Sequence, residues 1–283
     1  MAKIWVIGST AWDWVVKINT IPPPGGFARG RKIGGRPGGS PANIAKALSS
    51  AGHEVFFVGV VGNDKIGKRL VDDLRRWGVN THYIKQVSRP SAQALILLDR
   101  KGERSIITLG GPEITKASIP IDELMTADCV YFENPSRRFS TIISKLKKSN
   151  ILITSAPPQN KLKNWPANII VGSETQFPRS WLTSPFQYIR QIAGENLRWV
   201  VVTRGANGAT AYGPSKTIHV PAKRVKTIDC TGAGDAFTAG LLHGILQGFD
   251  IKHALELGVH WGTRATLLLQ SVPPEWDEVS FLT

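Results

Sequence analysis

The sequence predicts an α/β chain: a doubly wound, mostly parallel central sheet flanked by helices, with a small β-sheet lid. Three observations predict it. Nearly continuous apolar runs at 129–132, 151–153, 169–171 and 199–202 suit strands covered on both faces. Helix-like segments, several closed by glycine, lie between strands. Two extended excursions, near 13–34 and 92–110, interrupt the alternation where a lid would sit. The 283 residues, 42% apolar and 20% charged, are ample for a full core. One domain over 1–283 is expected.

Lys3–Gly8 opens the chain as a strand. Pro22–Pro24 with Gly25 and Gly26 form a turn between extended pieces. Gly34–Gly39 is expected to be a glycine-rich loop. A helix follows, with Ser40 as N-cap, Pro41 at its first position, Ile44, Ala45 and Leu48 on one face, and Gly52 as its stop. Glu54–Val61 is a buried strand. Asn63–Trp77 is a helix with Ile66, Leu70 and Leu74 spaced by four, ended by Gly78. Residues 92–99 and 104–109 pair as a hairpin around Arg100–Lys101–Gly102. Beyond the four apolar runs, 208–212 and 217–220 form a further strand pair. Helices over 233–248 and 251–270 precede Pro273–Pro274.

Composition removes several function classes. No run of about 18 apolar residues occurs, so no membrane span is expected. The start lacks a secretory signal, and two cysteines make no disulfide framework, so a cytoplasmic location is expected. The net charge of +14 raises a nucleic-acid reading. Its basic residues are dispersed, in clusters at Arg137–Arg138, 145–148, 161–163 and 223–226, without interleaved aromatics. They describe a solvated surface attractive to small anions.

DCTGAGDAF, residues 229–237, carries the chemistry. A helix start offers unpaired N–H groups and a partial positive charge. Gly232, Ala233 and Gly234 would let an anion approach those groups. Asp235 at the mouth of that pocket could take a proton from a hydroxyl attacking phosphorus. An acidic residue favoured at any helix start is the plainer reading. Neither G-x-x-x-x-G-K-S/T nor a G-x-G-x-x-G after the first strand is present, so a phosphate site here is of another kind.

The 229–235 stretch resembles the D-T-x-G-A-G-D signature of the ribokinase-like (PfkB) carbohydrate kinase family. GGSPANIA, residues 38–45, is similar to that family's N-terminal signature, in the expected order. The resemblance implies ATP-dependent transfer to a sugar hydroxymethyl group, with Asp235 as base and Gly232, Ala233 and Gly234 as anion hole. It implies sugar contacts from Asp13, Gly38, Gly39 and Asn43, and from Glu133 at a strand end. VVVTRGANGA is similar to the family's T-x-G-x-x-G segment. That puts Thr203, Arg204, Gly205 and Gly208 on the nucleotide, with Mg2+ bridging its phosphates and few protein ligands. The excursions match the family's lid, which pairs subunits in several relatives. Ala94, Ile96 and Leu98 are expected as an exposed apolar face favouring a homodimer.

The chain also departs from the family. Ser173 and Gln176 stand where N-x-x-E is usual, with Glu174 pointing elsewhere. His260 and Trp261 replace small residues near the adenine pocket, and Trp261 is expected to fill core. The 155–199 stretch is short. A pentose or ketohexose is the favoured acceptor. A nucleoside kinase of the same fold is the alternative, with Trp12, Trp14 and Phe27 as candidates for a base clamp, although Trp12 and Trp14, flanking Asp13, are not expected to face the same way. A sugar- or nucleotide-binding protein without turnover is a third reading.

Overall fold

Strand alternation sends successive side chains to opposite faces, and here both faces are apolar. In the first strand Trp5 and Ile7 point one way, Ile4 and Val6 the other, and all four are buried. The computed structural model describes the chain except residues 101–103, 116–118, 137–138, 148, 150, 159–164, 166, 271 and 278–283. Arg137–Arg138, Lys148, Lys161 and Lys163 of the basic clusters, and the tip of the 92–109 hairpin, lie outside the described residues.

In chain order the strands and helices are β1 (Lys3–Ile7), β2 (Ala11–Ile18), β3 (Gly30–Gly38), α1 (Ser40–Ser50), β4 (Glu54–Gly62), α2 (Lys65–Arg76), β5 (Ile84–Val87), β6 (Gln93–Leu98) and β7 (Arg104–Thr108). Next come α3 (Ile121–Leu124), β8 (Cys129–Phe132), α4 (Ser140–Leu146), β9 (Leu152–Ser155), β10 (Ile169–Ser173), α5 (Pro185–Ala193) and β11 (Trp199–Thr203). The chain closes with β12 (Ala209–Tyr212), β13 (Thr217–Val220), α6 (Ala233–Leu246) and α7 (Ile251–Ala265).

Among the described residues nine strands form the large sheet, in the order β13-β12-β11-β10-β9-β8-β1-β4-β5. Every neighbouring pair from β11 to β5 is parallel, and β12 and β13 close one edge antiparallel. The carboxyl ends of β1, β4, β8, β9, β10 and β11 therefore share one edge, where open α/β sheets bind ligands. One face packs on α3, α4 and α5 through Leu124, Ile142 and Ile189. The other packs on α1 and α6 through Ala45, Leu48, Ala236 and Ala239. Leu241 and Leu255 extend that cover over β10 and β11. The smaller sheet runs β3-β2-β6-β7, with β2 and β6 parallel between two antiparallel pairings. No helix among the described residues is long and apolar enough to cross a membrane.

Several expectations need correcting. The glycine-rich 34–39 segment is mostly strand: its backbone pairs with β2 up to Gly38. Ser40 is the first helical residue rather than the cap; Gly39 caps α1 at φ 96. The second helix starts later, at Lys65, because the Asp64 side chain accepts the Gly67 N–H. The last helix stops at Ala265. β5 carries no apolar run and went unpredicted. Ala94, Ile96 and Leu98 are not exposed: with Val15 they form the lid's own small core.

Candidate active site

Asp235 sits in the first turn of α6. Gly232 caps that helix at φ 80, the left-handed region glycine enters without strain. Gly234 has a different reason to be bare. A Cβ there would meet no atom within 4 Å, so its backbone faces open space rather than a packed neighbour. Asn43, one turn into α1, donates from Nδ2 to Asp235 Oδ2 at 2.7 Å, and Ser40 adds a second hydrogen bond. Two helix starts thus meet at one carboxylate. Burial holds the Asp235 pKa above its ordinary value, against the opposing bonds from Asn43 and Ser40 and the positive charge of Arg104.

Three buried polar atoms around this corner have no partner among the described residues: Asn43 Oδ1, Thr231 Oγ1 and Arg36 Nε. A buried orphan costs about 1–3 kcal/mol. Three of the six such atoms among the described residues lie here, beside open space.

Glu133 follows β8 on the same sheet edge. Ser9, just after β1, holds it: its N–H donates to Oε2 at 2.8 Å and its hydroxyl reaches both carboxylate oxygens at 3.0 and 2.8 Å. Burial raises the Glu133 pKa; the Ser9 bonds oppose this and the Asp235 charge adds to it. The same two acids, after burial, push the Tyr131 phenol up. Beyond Glu133 opens a cavity of about 400 Å³ lined by Ile7, Val60, Phe132 and Phe139 with Glu113 and Asn134 among its polar groups.

The lid's inner face follows from its register. Asp13 lies opposite Arg36 across β2 and β3, and beside Ala94 of β6. Asp13 is buried, and a Cβ on Gly38 would come within 2.2 Å of its carboxylate. Gly38 is therefore bare to admit Asp13. Gly39, at positive φ, is needed by the turn into α1, where a Cβ would crowd the Ser9 carbonyl at 2.9 Å. Two arginines cross from the lid to the 229–231 loop. Arg36 Nη2 meets Asp229 Oδ2 at 2.9 Å, and Arg104 Nη1 donates to the Cys230 carbonyl at 3.0 Å. Trp12 and Trp14 both take the opposite face, as residues two apart on a strand must, with rings 6.1 Å apart. The expectation that they diverge is overturned. Trp12 packs under Arg69 and Trp14 under Lys32, so neither stands on the Asp13 side. Phe27 is exposed.

The nucleotide-side candidates gather at the ends of β10 and β11. Ser173 and Gln176 satisfy each other: the Ser173 N–H donates to Gln176 Oε1 at 2.8 Å. Arg204 donates to Thr210 Oγ1 at 2.9 Å and Tyr212 OH at 2.8 Å, and faces Glu174 at 3.5 Å. Thr203 Oγ1 reaches the Gly172 carbonyl at 3.5 Å. Gly205 and Gly208 both sit at positive φ, and a Cβ on Gly208 would strike the Val220 carbonyl. Trp261 is core: fully buried, it donates to the Pro274 carbonyl at 3.1 Å and packs on Trp276.

The structure thus joins Asp235 with Asn43, and sets Glu133 and the lid face of Asp13 around the same corner. Ser9, Ser40, Arg36, Arg104 and Asp229 were missed as site residues. For Ser9 the one available signal is its place just past the first parallel strand.

Residues 1–267 match the family described as pfkB family carbohydrate kinase. The chain is 27% identical over 262 residues to a ribokinase of Bacillus subtilis, covering 90% of this chain and 89% of the relative. It is 28% identical over 262 residues to fructokinase-2 of Oryza sativa, covering 83% and 76%. Ribokinase from Thermotoga maritima shares the fold with TM-score 0.83 at 22% identity, covering 99% of each chain. Arabidopsis thaliana ribokinase, solved with ribose and ATP, gives 0.78 at 23% identity, covering 99% and 98%.

Proposed function

Because the chain belongs to the pfkB family of carbohydrate kinases, we propose that it moves the terminal phosphoryl group of ATP to a hydroxymethyl oxygen of a small sugar, a pentose or ketohexose. The observation that carries this reading is the Asn43–Asp235 contact of 2.7 Å at the meeting of two glycine-led helix starts. It orients the Asp235 carboxylate next in sequence to Gly234, whose backbone faces open space.

Asp235 takes the hydroxyl proton as that oxygen attacks. The amides at Gly232, Ala233 and Gly234 stabilise the charge on the transferring group. Asp13, Gly38, Gly39, Asn43 and Glu133 hold the sugar, with Asn43 Oδ1 accepting a hydroxyl that ends its isolation. Ser173, Gln176, Thr203, Arg204, Gly205 and Gly208 form the nucleotide side. Mg2+ belongs to this reading as the ion that would shield the charge of the nucleotide phosphates. Glu174, beside the nucleotide-side turn, is paired to Arg204 at 3.5 Å, and no cluster of three or more His, Cys, Asp or Glu side chains among the described residues could hold the ion. The 1–283 chain works as one domain whose lid excludes water.

The cavity past Glu133 favours a second reading. It is larger than a pentose needs, mixes apolar and polar groups, and among the described residues its lining includes Glu113 and Glu133 but no lysine or arginine. A neutral flat base attached to the sugar fits it, which makes a nucleoside the alternative acceptor.

An ATP-consumption assay over free sugars and nucleosides tests the proposal. ADP release with ribose or fructose supports it, and release confined to nucleosides moves the acceptor to the second reading. Asp235→Asn should lower turnover by about 10²–10⁴-fold while acceptor-induced thermal stabilisation persists. Unchanged turnover would remove Asp235 from its role.

A further inference from the structure

The loop that opens α6 is held from the lid. Arg36 on β3 meets Asp229 Oδ2 at 2.9 Å, while Arg104 on β7 places Nη1 3.0 Å from both the carbonyl oxygen and Sγ of Cys230. The first contact is the more deeply built. The Asp229 side chain is fully buried and that of Arg36 is 16% exposed. The other Asp229 oxygen accepts the Thr231 N–H at 2.9 Å, immediately before Gly232. One chain of contacts therefore runs from a lid strand to the start of the amide pocket. Arg36 also lies directly across the ladder from Asp13, so it stands between the acceptor candidate and the transfer loop. Its Nε remains buried without a partner, a donor still to be used when the site fills.

A buried carboxylate is tolerated only when paired and hydrogen-bonded. Asp229 can hold its place, and Thr231 with it, while the Arg36 guanidinium is seated. Arg36 is seated by β3, an edge strand of the lid sheet. We infer that Arg36 is a positioning residue for phosphoryl transfer, coupling the seating of the lid on the acceptor to assembly of the amide pocket at 232–234. The inference rests on the reading of 229–235 as the transfer site.

Arg36→Met, Arg36→Ala, Asp229→Asn and the Arg36→Met/Asp229→Asn double variant test it in the full chain, with ATP and the acceptor that turns over fastest in the panel. Arg36→Met should lower kcat by about 100-fold, the scale of a small misplacement of reacting groups, with the KM for ATP little changed. Free guanidinium should restore several-fold of the lost kcat in Arg36→Ala. The double variant should be no slower than the slower single variant, because both act on one link. Parental kcat in Arg36→Met, or losses that multiply in the double variant together with no guanidinium rescue, would overturn the inference. If Arg36→Met does not fold, the comparison moves to the Asp229→Asn background, where removing Arg36 strands no buried carboxylate; there the loss of Arg36 should change kcat little, and a second large loss refutes the link. Asp235→Asn separates the two levels. If it leaves turnover intact, the site reading fails; if it abolishes turnover while Arg36→Met does not, only the coupling fails.

Discussion

At Asp235, burial and charge pull in opposite directions, and burial prevails. Its pKa is raised despite bonds from Asn43 and Ser40 and the nearby Arg104 charge. A base acts in its ionised form, so turnover should fall as pH drops through this raised value, above the ordinary carboxylate value of about 3.9. Arg104→Met removes an influence that lowers the pKa, so the acid limb of the kcat/KM profile should move to still higher pH. A limb that stays put, or moves down, would show that the Arg104 charge does not reach the base. Asp235 and Asn43 were legible because each falls in a compact local motif. Arg36 was not: its partner lies 193 residues away, and nothing beside it distinguishes it from the other dispersed basic residues. Ser9 was hidden likewise, since its partner Glu133 comes from a different strand end.

At the level of elements, α6 carries Asp235 and is fixed by α7. The two approach so closely that a Cβ on Gly240 would stand 2.9 Å from the Gly258 Cα. Gly240→Ala should destabilise the fold by about 1–3 kcal/mol, as overpacking does; a thermal midpoint equal to the parent's would contradict the contact. α6 is tied at its far end by His243, whose Nδ1 lies 2.9 Å from His53 Nε2 in a buried pair. Burial, then the His243 charge, lowers the His53 pKa to about 4. The unfolded chain therefore binds the proton first. Stability should be full above about pH 6.5 and decline as pH falls from there toward 4. Replacing both histidines with asparagine should flatten that decline, measured by thermal midpoint against pH. The parallel strands were legible from their continuous apolar runs, and α1 and α2 from their periodicity. β3 was not, because glycines that read as a loop are there to admit Asp13 at Gly38 and to pair with β2. β5 has too few apolar residues to signal a strand.

For the whole molecule the open question is what covers the lid. The apolar face expected to join subunits is consumed inside the lid, where Ala94, Ile96 and Leu98 pack with Val15. A different set remains outside. β7 is an edge strand, and Ile106 and Ile107 are each 49% exposed, with Leu109 just beyond at 59%. An edge that offers unpaired backbone groups beside exposed isoleucines is a template for another strand unless something shields it. The chain's high positive charge would oppose indiscriminate association, so a specific two-fold pairing of β7 edges is the arrangement that relieves the exposure without opening a filament. Light scattering should therefore return the mass of two chains, and Ile107→Lys with Leu109→Lys should halve it while leaving the thermal midpoint near the parent's. A parent that scatters as a single chain at the concentrations used for turnover would refute the pairing. Because Arg104 belongs to that same strand and reaches the transfer loop at Cys230, the monomeric variant should also show a looser lid, read as a higher acceptor KM with the KM for ATP unchanged.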